Sequence, residues 1–89
     1  MTWNYRIVQY VDGSGYGLHE VYYDENGQPW SMTSDPARFV SDPDEGPSGV
    51  KGSLLKARVD AIKRPVFVEP KKGKWPGINP GDKYKNFKL

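Results

Sequence analysis

Few residues of this chain combine a reactive side chain with a spacing that catalysis could use. His19 is the sole histidine, and Glu20 follows it directly. Adjacent residues of a strand point to opposite faces of its sheet, so these two side chains cannot form an acid–base dyad with each other. Ser14 lacks the flanking pattern of a nucleophile elbow, and no second residue is placed to activate it. The sequence therefore predicts that the protein is not an enzyme and that His19 has a structural or surface role.

The glycine and acidic clusters do not predict a cofactor or metal site either. Gly13, Gly15 and Gly17 follow one predicted strand and lead into another, so no helix N-terminus faces a phosphate. The acidic residues at 24–25 and 42–45 are typical of turns, and their spacing does not match a calcium loop. The chain has no cysteine, which excludes disulfides, thiolate ligands and Cys nucleophiles. We expect no cofactor and no bound metal.

Length and composition predict one small domain. The 89 residues leave no room for a second domain, and a hydrophobic content of 36% predicts a small core. No apolar run approaches the roughly 18 residues that a membrane span needs, and the first residues lack the basic region of a signal peptide. We therefore expect a cytoplasmic protein that does not contact a membrane.

Charge is divided unevenly along the chain. Residues 1–50 carry two basic side chains and eight carboxylates, a net charge of −6. Residues 51–89 carry eleven basic side chains and three carboxylates, a net charge of +8. This division is typical of two halves that pack against each other, or of a basic arm that binds an anionic partner. Both interpretations remain open from charge alone.

Alternation and turn residues predict an antiparallel β-meander. Strands are expected at about 3–11, 16–24 and 29–33, because side chains there alternate with a period of two. Glycines at 13–15 provide the first turn, and Asn26-Gly27 is a strong signal for a two-residue type I′ hairpin.

The two turns also predict a register. The Asn26-Gly27 loop pairs Tyr23 with Trp30 and, two residues further on, Val21 with Met32. A three-residue loop at 13–15 pairs Ile7 with Val21 and Tyr5 with Tyr23. One core face is then expected, made of Tyr5, Ile7, Val21, Tyr23, Trp30 and Met32.

The segment 53–64 has the pattern of an amphipathic helix. Leu55, Val59 and Ile62 form an apolar stripe, which is expected to pack across the sheet. Ser53 is a suitable N-cap, and Pro65 ends the helix. Residues 66–68 could add a fourth short strand. The predicted fold is α+β, a three-stranded antiparallel β-meander packed against one α-helix and followed by an extended basic C-terminal arm.

The last twenty residues differ in composition from the rest. We expect residues 1–69 to form the domain and 70–89, rich in proline, glycine and lysine, to be extended or partly disordered. Lysines can neutralise phosphates and aromatic rings can stack on bases, so this arm is a candidate nucleic-acid interface. The alternative is that Trp75 or Phe87 packs on the sheet. The candidate nucleic-acid-binding residues are Lys71, Lys72, Lys74, Trp75, Lys83, Tyr84, Lys85, Phe87 and Lys88.

Two stretches of the chain resemble a family of short uncharacterised bacterial proteins. They read W-N-Y-R-I-V at 3–8 and Y-G-L-H-E-V-Y-Y-D-E-N-G at 16–27, and the family pattern is W-N-Y-R-[VI] followed by G-[IL]-H-E-V-Y-Y-D-E-x-G. The likeness covers about residues 1–35 and, more loosely, the helix end at 61–65. It implies a shared fold and gives no indication of an activity.

The predicted strand order also looks like that of HicB-type antitoxins, which inhibit a toxin. This similarity is one of topology, and it implies a protein partner. We therefore expect a non-catalytic binding module, an inhibitor or accessory factor of phage or mobile-element origin, that acts through a sheet face and the loop 33–49. Tyr10, Leu18 and Tyr22 are the candidate protein-binding residues, because one helix cannot cover both sheet faces. The alternative is a nucleic-acid-binding module or HicB-like antitoxin that uses the arm.

Overall fold

One helix and a mixed four-stranded sheet make up the fold, which a computed structural model describes for residues 2–81. The strands lie in the order β3-β2-β1-β4, with β4 parallel to β1 and the other neighbours antiparallel. The predicted α+β class is confirmed, whereas the three-stranded antiparallel sheet is corrected to a mixed sheet of four strands. The elements are β1 Thr2–Gln9, β2 Tyr16–Tyr23, β3 Pro29–Met32, α1 Gly46–Lys63 and β4 Phe67–Val68.

The first hairpin has a longer turn than its glycines predict. The N–H of Tyr10 donates to the carbonyl of Gly15 at 2.9 Å, so residues 11–14 form the turn. Ile7 therefore pairs with Leu18 and not with Val21. This shift of three residues is odd, and an odd shift exchanges the faces on which the side chains of one strand lie.

The second hairpin turns through three residues instead of two. The N–H of Asp24 donates to the carbonyl of Gln28 at 2.8 Å, which encloses residues 25–27. Gly27 has φ 77°, but no residue other than glycine has a positive φ among those described. A type I′ turn needs φ > 0 at both central positions, so the Asn26-Gly27 prediction is wrong in turn type and right in place.

A bulge at Trp30 of β3 divides the register of the second hairpin. Val21 pairs with Met32, as predicted. Tyr23 pairs with Pro29 and not with Trp30, because the register shifts between Tyr22 and Tyr23. The extra turn residue is accommodated at this bulge.

The corrected registers place the predicted core residues on two different faces. The His19 face carries Val8, His19 and Val21, each at most 1% exposed. The Tyr5 face carries Tyr5, which is buried, and Leu18. The expectation of a single core face is therefore wrong, since Tyr5 and Val21 point to opposite sides of the sheet.

The chain after α1 covers the His19 face. Phe67 of β4 lies level with Val8, and the guanidinium of Arg6 lies 5.3 Å from the centre of the Phe67 ring. Trp75 stacks on Phe67 with ring centres 5.7 Å apart. The N–H of Gly77 then donates to the carbonyl of Pro29 at 2.8 Å. Residues 67–77 thus run from the β4 edge of the sheet to β3.

The helix begins earlier than its apolar stripe predicts. α1 begins at Gly46, with Pro47 in its first turn, where proline needs no hydrogen-bonded N–H. Ser53, predicted as the N-cap, lies inside the helix. The helix ends at Lys63, just before Pro65, as predicted.

The side of α1 that meets the sheet is also different from the predicted one. Ala57 and Asp60 are buried, whereas Leu55 is 63% and Ile62 is 73% exposed. The Asp60 carboxylate accepts a hydrogen bond from the N–H of Tyr5 at 3.0 Å. This bond fixes the rotation of the helix about its axis, so the predicted packing of the apolar stripe across the sheet is wrong.

The Asp60 carboxylate is held in its charged form by its neighbours. Burial raises the pKa of Asp60, but hydrogen bonds from Lys56 and the Tyr5 N–H, with the charges of Lys56 and Arg64, outweigh it and leave the pKa below the usual 3.8. A carboxylate with a lowered pKa in the fold stabilises it above the unfolded pKa. That contribution is lost as the pH falls below about 4 and through the folded pKa.

We predict that Asp60→Ala destabilises the protein by roughly 1–3 kcal/mol, because it leaves the Tyr5 N–H without its acceptor. Urea unfolding at pH 7 measures the loss, with exposed Lys63→Ala as the control on the same helix. The difference between wild type and Asp60→Ala should shrink as the pH falls below about 4 and through the lowered pKa of Asp60, because the wild-type carboxylate then becomes protonated. Equal urea midpoints for both variants at pH 7 would contradict this role of Asp60.

Candidate functional site

One side of α1 presents apolar side chains to solvent. Leu55, Val59 and Ile62 recur at intervals of four and three residues, which places them on one side of the helix, and all three are exposed. Arg58 and Lys63 lie beside them, and these five side chains line a shallow groove of about 330 Å³. We call these five residues the outer face of α1. Aliphatic groups next to cations can bind another macromolecule by burying apolar area.

The outer face stands out from the other exposed apolar residues because it is continuous. Among residues 2–81, eleven large apolar side chains are exposed, whereas the buried apolar ones are only Tyr5, Val8, Val21 and Ala57. Isolated exposed apolar residues are ordinary, but contiguous ones mark interaction surfaces. The spacing of this stripe predicts a place in the core, whereas the structure has it at the surface.

The three candidate protein-binding residues do not form one surface. Leu18 and Tyr22 lie on the Tyr5 face, and both are half-buried. The hydroxyl of Tyr22 donates to Glu20 at 3.2 Å, and burial, together with the Glu20 charge, raises the pKa of Tyr22. Tyr10, also half-buried, contacts His19 on the opposite side of the sheet. A binding role for these residues stays a prediction.

The loop after β3 shields the Tyr5 face. The N–H of Ala37 donates to the carbonyl of Leu18 at 2.7 Å, which ties the loop to β2. The Phe39 ring lies 6.1 Å from that of Tyr5, and Trp3 contacts Tyr5 edge-on at 5.2 Å. The predicted loop 33–49 ends at residue 45, because α1 begins at Gly46. Its part nearest the sheet covers Tyr5.

His19 is a buried structural residue within a chain of hydrogen bonds. Its Nδ1 lies 2.8 Å from the carbonyl oxygen of Thr33, which can only accept, so Nδ1 carries the proton and donates. Its Nε2 is then the acceptor for the Tyr10 hydroxyl at 2.7 Å. A Cβ at Gly17 would overlap that hydroxyl, so the contact requires glycine there. Both ring nitrogens are engaged, and neither faces a substrate cleft.

The first half of the basic arm lies against the sheet. Lys71, Lys72 and Lys74 are exposed around a turn, in which the N–H of Lys74 donates to the carbonyl of Lys71 at 2.9 Å. The Trp75 ring, predicted to stack on bases, stacks on Phe67. The remaining candidates of the arm lie outside the described residues: Lys83, Tyr84, Lys85, Phe87 and Lys88.

Asp24 links this segment to the second hairpin. One carboxylate oxygen accepts the N–H groups of Asn26 and Gln28, each at 2.9 Å, and the other accepts the N–H of Ile78 at 3.1 Å. These hydrogen bonds, foremost those from Gln28 and Ile78, lower the pKa of Asp24. Asp24 was expected from sequence only as a turn acid, since its long-range partner has no local signal.

Neither a metal-binding cluster nor a membrane-spanning helix is found among residues 2–81. In that range no three histidine or acidic side chains are grouped so that they could hold a metal ion. Within the same range, none of the helical structure has the length and apolar content that crossing a membrane requires. No protein-family model, curated protein or solved structure matches the chain.

We predict that Tyr10→Phe destabilises the protein by roughly 1–3 kcal/mol, because the buried Nε2 of His19 loses its donor. Exposed Tyr16→Phe removes the same group without this bond and is the matched control. Thermal unfolding of the two variants measures the difference. If Tyr10→Phe melts like Tyr16→Phe, the Tyr10 hydroxyl does not hold His19.

We predict that Asp24→Ala loosens residues 73–79 while the strands remain paired, because the N–H of Ile78 loses its acceptor. Amide hydrogen exchange at Gly77 and Ile78 should accelerate relative to wild type, and exposed Asp35→Ala should leave it unchanged. Because the pKa of Asp24 is lowered, the protection of these amides in wild type, relative to intrinsic exchange at each pH, should be lost as the pH falls below the usual 3.8 and through the folded pKa. Unchanged exchange in Asp24→Ala would show that other contacts hold the segment.

Proposed function

We propose that this protein is a non-catalytic module that binds another protein, as an inhibitor or accessory factor, through the outer face of α1. The observation that carries the proposal is the continuous exposure of Leu55, Val59 and Ile62. A domain with so few buried apolar side chains gains stability by burying such a stripe against a partner.

The position of the surface differs from the one expected from sequence. A sheet face and the loop 33–49 were the expected binding surface, but Phe39 packs on Tyr5 and the segment 67–77 covers the opposite face. Among residues 2–81, the outer face of α1 makes no comparable contact with the rest of the domain, since α1 meets β1 through its other side. A partner could therefore reach it without rearrangement of the fold.

The engagement of the reactive side chains supports a non-catalytic role. His19 uses both ring nitrogens in internal hydrogen bonds. Asp24 and Asp60 accept backbone N–H groups that hold the chain together. These are positioning contacts for the fold, and they leave none of the three free to act as a general acid or base.

The proposal is tested by comparing two apolar-to-acidic substitutions of similar exposure. Ile62→Asp lies on the outer face and Val40→Asp lies in the loop, where the side chain is 69% exposed. We expect wild type and Val40→Asp to capture the same defined protein from an extract of the native host. Ile62→Asp should weaken that binding at least about tenfold, because an apolar contact is lost and a charge is buried.

Circular dichroism and urea unfolding should confirm that both variants remain folded. Equal capture by all three proteins would contradict the outer face as the binding surface. Recovery of mixed RNA or DNA in place of a defined protein would favour the alternative, a nucleic-acid-binding module that uses the lysines of the arm.

A further inference from the structure

The charges around the apolar stripe on α1 have one sign. The helix carries the basic residues Lys51, Lys56, Arg58 and Lys63, and its one acidic residue is Asp60. Lys56 and Asp60 form an ion pair at 3.0 Å on the side that meets β1. All of α1 lies in the described part of the chain, and its exposed side chains therefore include cations and no carboxylate.

The cations flank the stripe on both sides. At 100° per residue, Lys51 and Arg58 lie on one side of the line through Leu55 and Val59, and Lys63 lies on the other. A partner whose apolar residues contact Leu55 and Val59 places its own flanking side chains near these cations. Acidic side chains there are attracted, and basic ones are repelled.

The shape of the groove fits a helix. Its five lining residues all belong to α1, so the groove is the space between rows of side chains three and four residues apart. Helices pack by placing a row of side chains into such a space, and apolar residues at i, i+3, i+4 and i+7 supply that row.

From these observations we infer that the outer face of α1 binds an acidic amphipathic helix, one whose apolar stripe is flanked by Asp and Glu. This inference rests on the proposed function and names the chemical class of the protein partner. The affinity comes from burial of the stripe, and the choice of partner comes from Lys51, Arg58 and Lys63.

Two other occupants fit the same face less well. A second copy of α1 packed antiparallel on the first would bring its own Arg58 and Lys63 against those of its partner, with no acid to separate them. A lipid surface also attracts cations, but helices that lie in it bury a broad apolar face that commonly carries Trp or Phe beside Leu, and this stripe has three aliphatic residues and no aromatic one.

The test uses two synthetic helical peptides of about 20 residues with the same Leu and Ile stripe, one flanked by Glu and the other by Lys. Fluorescence anisotropy measures their binding to the full chain. We expect the Glu peptide to bind about tenfold more tightly than the Lys peptide at low salt. The ratio should fall as NaCl rises from about 50 to about 300 mM, because salt screens exposed charges.

Three variants separate the outer face from the overall charge. Arg58→Glu with Lys63→Glu should reverse the preference between the two peptides. Lys71→Glu with Lys72→Glu makes the same change of charge at exposed residues of the arm and should leave the preference unchanged. Ile62→Asn adds no charge and should weaken both peptides alike, because it acts on the stripe.

Several results would overturn the inference. If the two peptides bind equally, or if both double variants reduce the preference to the same degree, the flanking cations do not select the partner. If neither peptide binds while Ile62→Asp still abolishes capture of a protein, the partner class is wrong and the proposed function stands. If wild type and Ile62→Asp capture the protein equally well, the proposed function and the inferred partner class are both wrong.

Two further measurements identify the other occupants. Sedimentation that shows a dimer in wild type and a monomer in Ile62→Asp, without peptide binding, would assign the face to a second copy. Ile62-dependent binding to vesicles of phosphatidylglycerol, again without peptide binding, would assign it to a lipid surface. Either result overturns the acidic helix.

Discussion

The N–H of Tyr5 points away from β2 at an edge of β1 that β4 leaves open, because β4 pairs only with Val8 and Gln9. A backbone donor at such an edge needs an acceptor, and the Asp60 carboxylate provides it from the helix. Once that bond and the Lys56 pair are made, the rotation of α1 is fixed. The side of the helix opposite Asp60 then faces solvent, and the apolar stripe lies there. The candidate binding surface is thus a consequence of how one strand edge is completed.

The features of the fold that depend on local chemistry could be predicted from sequence. Pro65 marks the end of the helix, the Val21–Met32 pair follows from the position of the second turn, and 66–68 contain the short strand Phe67–Val68. Registers depend on loop length, which composition does not determine. Gly13 and Gly15 both have a positive φ, yet the turn takes in residues 11–14, and Gly15 closes it by accepting the N–H of Tyr10. A difference of one loop residue is enough to place Val21 on the face opposite Tyr5.

The spacing of the residues in the candidate site could be recognised in the sequence, but their exposure to solvent could not. Leu55, Val59 and Ile62 have the spacing of a helix core, and helices that pack on sheets usually bury such a stripe. Asp60 argues against burial of that stripe, because this carboxylate lies on the same side of the helix as the small residue Ala57, and both are buried. Asp60 is buried because it accepts the N–H of Tyr5, 55 residues earlier, which has no acceptor in a neighbouring strand. No local sequence pattern indicates this pairing. Lys51, Arg58 and Lys63 are recognised as flanking a binding surface only once the stripe between them is known to be exposed.

The contacts of β1 also have a consequence for the order in which the chain can fold. β1 and the residues just after it depend on partners that are synthesised much later: Tyr5 on Asp60, Val8 on Phe67, and the N–H of Val11 on the Glu69 carboxylate, 58 residues later. The β1–β2–β3 meander can form early from neighbouring residues, but its far edge stays open until the C-terminal segment arrives. Pairing of this edge with the later segment is slow, because the entropy of the long intervening chain is lost before the stabilising contacts form. The open edge of β1 is therefore unprotected until residues 60–69 have been synthesised, a state in which pairing with other nascent chains competes with folding.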